Sequence, residues 1–166
     1  MTTRFRQLLT ATTALTFALI LLGVYTGAIG AGLTCGARWP LCDGWMGLFP
    51  ANWASFVEWF HRLVAMITGF AILGSTVAAW RGDYASRIKY ATAVATVVLP
   101  VQILLGANTI LNFGALAQVL HHAAALTILV AMVAATAWSF DAPATSAGAE
   151  SPADSGAETD ATPSSD

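Results

Sequence analysis

Four apolar stretches, each long enough to cross a bilayer, leave this chain few architectures. A hydrocarbon core takes roughly 20 consecutive apolar residues per helix. The segments from about Leu8 to Gly30, Phe56 to Trp80, Tyr90 to Leu111 and Val119 to Phe140 all meet that requirement. Every backbone N–H and C=O in lipid has to find a partner within its own segment, which predicts helices. The expected fold class is therefore all-α: a transmembrane four-helix bundle over residues 1–140, followed by a short polar tail.

Composition closes off the soluble alternatives. Charged residues make up only 10% of the 166 and hydrophobic residues 57%, whereas an average soluble domain is about one quarter charged. Residues 1–140 hold all seven Lys/Arg and three acids (Asp43, Glu58, Asp83); residues 141–166 hold six acids and no base. So few, unclustered basic residues disfavour nucleic acid as a partner. The tail is rich in Ala, Ser, Asp, Glu and Pro. It has too little apolar surface to offset its ordering entropy, which predicts disorder.

Orientation follows from the placement of the basic residues. Arg4 and Arg6 precede the first span, and Arg81, Arg87 and Lys89 lie between the second and third. Both segments are assigned to the cytoplasm of a multi-pass cell-membrane protein. Both termini are then cytoplasmic, and the long loop Ala31–Ser55 is extracellular. Trp39, Trp45, Trp53 and Trp59 mark one interface, and Trp80 and Trp138 the other. The first apolar stretch exceeds the 7–15 residues of a signal-peptide core, so it is read as a retained span.

Ionisable side chains inside a span are costly and are functional candidates by default. Here they are Glu58, His61 and Arg62 near the start of the second span, and His121 and His122 near the start of the fourth. Spans two and four run parallel, so at 1.5 Å per residue the depths of His61 and His121 differ by only a few ångströms, on the order of one helical turn. Imidazoles from separate helices at matched depth meet the requirement for two axial ligands of a haem iron. An isolated histidine of this kind more often makes an interhelical hydrogen bond, but the matched pair favours ligation. His122 points about 100° away from His121, so only one of the two faces a given haem, and the other is left for a propionate, a neighbouring subunit or the interface. Zinc is disfavoured because no Cys, Asp or Glu other than Glu58 joins the histidines at a recognised spacing.

Glu58 and His61 are three residues apart and share a helix face. A carboxylate beside a bound macrocycle suits proton exchange or compensation of a developing positive charge; its structural alternative is an i,i+4 ion pair with Arg62. Arg62 suits a haem propionate, or else snorkels to headgroups. Cys35 and Cys42 begin and end CGARWPLC, where an oxidising exterior favours a disulfide, and their spacing is not that of a C-x-x-C thiol oxidoreductase. Gly23, Gly27 and Ala31 form a small-residue stripe of the kind that lets helices approach closely, and Gly106 is read the same way. Gln102, Asn108 and Asn112 suit either interhelical hydrogen bonds or a cavity wall.

The run TGAIGAGLTCGARWPLCDG, then EWFHR, then QILLGA and LHH, resembles the haem A synthase family over essentially residues 4–140. The resemblance implies oxidation of the C8 methyl of haem O to a formyl group, giving haem A for terminal oxidases. It implies Glu58 as the catalytic carboxylate, His61 and His121 as axial ligands of the haem iron, and Cys35 and Cys42 as the loop pair. Typical members have eight spans and two histidine pairs, one for substrate haem O and one for haem b. With four spans and one pair, this chain resembles the half-length archaeal form, which implies a homo-oligomer. A haem O synthase and a terminal oxidase are the implied partners. Two rival readings are a b-type cytochrome-like electron-transfer protein without oxygenase activity and a four-span thiol oxidoreductase using Cys35 and Cys42.

Overall fold

The computed structural model describes residues 3–36, 38–112 and 114–141. The acidic tail assigned to disorder lies, from residue 142 onward, outside the described residues. Four long helices account for most of the remainder: α1 (Thr3–Ala28), α2 (Trp53–Arg81), α3 (Ser86–Leu111) and α4 (Ala115–Phe140). Each is long and apolar enough to cross a membrane. This is an all-α, multi-pass membrane protein.

All four helices begin before the apolar stretches read from the sequence, and α1 ends at Ala28, two residues short of the predicted Gly30. α1 begins five residues before Leu8, and both α3 and α4 begin four residues before the predicted starts. Hydropathy marks only the part that lipid requires to be apolar. Helical hydrogen bonding continues into polar flanks until a cap ends it. At α2 that cap is Asn52, whose side-chain oxygen accepts a hydrogen bond from the Ser55 backbone N–H at 3.0 Å.

The helices form a ring in which α1 packs on α2 and α4, and α3 packs on α2 and α4. The diagonal pairs, α1 with α3 and α2 with α4, do not touch backbone to backbone. The histidine-bearing helices therefore face each other across the bundle.

The two ends of the bundle differ in filling. Toward the end carrying Arg4, Arg6, Arg81, Arg87 and Lys89, the core is closed by Leu9, Ile72, Ile88, Ile128, Met132 and their neighbours. Threonine and serine hydroxyls stitch the helices together there, with Thr12 to Ser75 at 3.2 Å, Thr13 to Thr136 at 2.8 Å and Thr76 to Thr96 at 2.8 Å. Each such hydroxyl satisfies itself inside the bundle, which lipid cannot do for it. At this end Arg6 also donates to the Ser139 carbonyl at 2.8 Å, and Arg87 pairs with Asp141 at 2.6 Å.

The opposite end is roofed by the loop between α1 and α2. A short 3₁₀ turn (Ala31–Leu33) leads into a disulfide joining Cys35 and Cys42, with their Cα atoms 4.5 Å apart. Gly44 turns the chain with φ 87°, where an added Cβ would strike the Phe49 carbonyl. Asp43 accepts from the Ser55 hydroxyl at 2.9 Å, which docks the loop on the first turn of α2.

Candidate functional site

Between the packed end and the loop lies a cavity of about 680 Å³ that all four helices and the loop line. The ionisable residues singled out from the sequence converge on it. Glu58, His61 and Arg62 come from α2, and His121 and His122 from α4. Trp39, Pro40, Leu41 and Leu48 of the loop close one side.

Glu58 is buried, at 4% exposure. Its Oε1 accepts from Arg62 Nε at 2.9 Å, so the i,i+4 ion pair weighed from the sequence is present. Arg62 does more than balance that charge. Its Nη1 donates to the backbone carbonyls of Arg38, Pro40 and Leu41 at 3.0, 3.1 and 2.6 Å. These carbonyls belong to the segment that the disulfide encloses, so Arg62 ties the roof to the carboxylate. It does not snorkel. Nη2 remains buried and without a partner among the described residues, leaving a donor for an anionic group on a ligand.

Both facing histidines have a buried Nδ1 without a partner among the described residues. His121 Nε2 lies 3.4 Å from the Gln102 side-chain nitrogen, a long contact by hydrogen-bond standards that a ligand can displace. His122 is held differently: its Nδ1 donates to the Gln118 carbonyl one turn back at 2.7 Å. The rings of His121 and His122 are nearly perpendicular, with centroids 6.0 Å apart. The large angular offset between neighbouring helical positions is kept, yet both rings border the same cavity.

At Gly23, on the helix that packs against α2, an added Cβ would lie 3.0 Å from Cε1 of His61. A Cβ on Gly27 would meet nothing within 4 Å. Gly106 repeats the Gly23 arrangement, with an added Cβ 3.1 Å from Cε1 of His121. Stripe spacing is compatible with a helix crossing and with a side-chain recess alike. Only the tertiary structure separates the two, and here the recesses hold imidazoles.

Gln102 borders the cavity, whereas Asn108 and Asn112 bond to each other at 2.8 Å on an exposed surface. Cys35, Cys42 and Asp43 cluster closely enough to suggest a cation site, but the two sulfurs are bonded to each other. The cysteines sit in the roof, and the histidines lie below it.

Comparison with known proteins gives two names for relatives of the same region. The chain is 34% identical over 142 residues to a protoheme IX farnesyltransferase of Halobacterium salinarum, covering 84% of this chain and 30% of that one. It is 33% identical over 124 residues to the heme A synthase of Bacillus licheniformis, covering 72% of this chain and 40% of that one. A protoheme IX farnesyltransferase of Haloarcula marismortui is 35% identical over 138 residues, 29% of its length. The chain thus spans less than a third of the farnesyltransferase-named relatives and about two fifths of the synthase. No family model and no solved structure matches it. These similarities relate the chain to membrane proteins named for haem modification, among them heme A synthases. The resemblance read from CGARWPLC and EWFHR named only the synthases; the farnesyltransferase name was not legible there.

Proposed function

We propose that this chain is a haem A synthase-type oxidoreductase that holds haem O across the bundle between His61 and His121 and oxidises its C8 methyl beside Glu58. The observation that carries this reading is the meeting of imidazoles from the diagonal helices α2 and α4 at a cavity that also holds a buried carboxylate.

The residues present fit such a ligand. A volume of about 680 Å³ lies near the middle of the range for small-molecule sites. The contact of Gln102 with Nε2 of His121 is long enough for a ligand to displace. Arg62 Nη2 is positioned to take a propionate. We propose haem b as the resident cofactor and a homo-oligomer that brings more than one such site together. We also propose an extracellular Cys35–Cys42 loop and cytoplasmic termini, from the side on which the basic residues lie.

When bound, the haem iron supplies the oxidising power that an unactivated methyl group demands. The protein's share is position and charge. Glu58 offers a carboxylate on the same helix face as His61, where it would take up a proton released as the methyl is oxidised or offset a developing positive charge. Arg62 fixes the orientation of that carboxylate through Oε1. Leu41, Leu48 and Trp39 shield the site from water on the loop side.

Reverse-phase identification of the haems that copurify after co-expression with a haem O synthase tests the reading. Wild type accumulates haem A and hydroxylated intermediate. Glu58→Gln keeps the Arg62 hydrogen bond and retains haem, but conversion falls by about 100-fold or more. Unchanged haem O in wild-type protein would leave a b-type cytochrome, and colourless protein would leave the thiol oxidoreductase. Conversion by Glu58→Gln at the wild-type rate would remove the glutamate from the chemistry.

A further inference from the structure

The bundle is built from two helix hairpins that carry the same short pattern. α1 contains Ile20-Leu21-Leu22-Gly23-x-x-Thr26, and α3 contains Ile103-Leu104-Leu105-Gly106-x-x-Thr109. In each hairpin the glycine lies beneath the histidine of the following helix, His61 above Gly23 and His121 above Gly106. The chain distance from glycine to histidine is 38 residues in the first hairpin and 15 in the second. The disulfide loop absorbs the difference, and the packing of glycine against imidazole is the same.

A histidine that ligates a metal ordinarily has its ring orientation fixed by a hydrogen bond from its other nitrogen. Neither His61 nor His121 has such a partner at Nδ1 among the described residues. Something else has to fix the rotation of each ring. Both rings lie close over a glycine, where an added Cβ would stand 3.0 and 3.1 Å from Cε1. Carbon atoms pack best about 3.5–4.0 Å apart. A methyl group at either glycine therefore requires the ring to give way by a few tenths of an ångström.

We propose that Gly23 and Gly106 are positioning residues, two equivalent recesses that set the rotation of the His61 and His121 rings presented to a haem. The proposal rests on the reading of those histidines as axial ligands. Steric recesses here do the work that hydrogen-bonded second partners do elsewhere, and they do so once per hairpin. Replacing either glycine by alanine rotates or displaces one ligand plane, which alters the electronic signature of the iron and weakens haem retention.

The test uses the full chain purified in detergent and loaded with hemin, read by the Soret band, by low-spin electron paramagnetic resonance and by hemin retention. Gly23→Ala and Gly106→Ala each shift the low-spin g-values and weaken hemin retention about tenfold. Gly74→Ala, where an added Cβ meets nothing within 4 Å, leaves the spectra unchanged. Wild-type g-values in both glycine variants, with the low-spin signal lost in His61→Ala and His121→Ala, overturn the recess proposal and leave the ligand assignment standing. A low-spin signal that survives in the histidine variants sinks the ligand assignment, and the recess proposal with it. If Gly23→Ala does not fold, the double variant with His61→Ala removes the ring the methyl would strike. Folding of that double variant like His61→Ala alone supports the recess; failure to do so overturns it.

Discussion

Leu9, Ile72, Ile88 and Met132 fill one half of the bundle to complete burial, whereas the half containing His61 and His121 encloses open space lined mainly by apolar side chains, with glycines and a few polar tips among them. The same four helices build both halves. In the closed half, the hydroxyls of Thr13, Thr76 and Thr136 find partners on neighbouring helices or their carbonyls. In the open half, His61 Nδ1, His121 Nδ1, Gln102 Oε1 and Arg62 Nη2 have none among the described residues. A buried polar group without a partner costs about 1–3 kcal/mol. Stability thus resides at one end, and unmet hydrogen-bonding capacity, which a ligand can meet, collects at the other.

One pair of equal deletions probes that division most strongly. Met132 is fully buried in the closed half, while Met66 borders the cavity and is 55% exposed. Met132→Ala lowers stability by about 2–4 kcal/mol, and Met66→Ala changes it by about 0.5 kcal/mol or less. Thermal unfolding followed by circular dichroism in detergent measures both. Equal losses would abolish the contrast between the halves.

A step smaller is the effect of opening the roof. Cys35→Ser with Cys42→Ser removes a crosslink worth about 2 kcal/mol for so short a loop. The loss is confined to the cavity end: limited proteolysis between Ala31 and Asn52 accelerates, while amide exchange in the closed half stays at the wild-type rate. Faster exchange around Leu9 and Met132 would mean that the two ends unfold together.

The smallest effect is expected from a single interhelical hydroxyl. Thr13→Val breaks its contacts with Thr136 and with the Met132 carbonyl and lowers stability by about 1 kcal/mol, at about 0.6 kcal/mol for each such bond within membranes. A loss several times larger, by the same unfolding measurement, would make polar stitching rather than apolar packing the main support of the closed half.

Much of the fold was legible because lipid is an unforgiving solvent. Runs of about 20 apolar residues leave helix as the one open-chain conformation that satisfies the backbone. The candidate site was legible for a related reason: Glu58, His61, Arg62, His121 and His122 are the ionisable groups with no ordinary place in an apolar helix. The farnesyltransferase-named relatives were not foreseeable from these residues, because a segment shared with longer proteins carries no mark of what the rest of their length does.

Sequence by itself determined the spans, the loop cysteines and the residues that converge on the cavity. Tertiary structure alone decided that Arg62 holds three loop carbonyls as well as Glu58, that Gln102 meets His121 while Asn108 and Asn112 do not border the cavity, and that Gly23 and Gly106 receive imidazoles. The physical reason is the range of the interactions. Burial in lipid acts on each segment separately, so it is written in local composition. A glycine's neighbour, or the third partner of a guanidinium, depends on how helices far apart in the chain come to lie side by side.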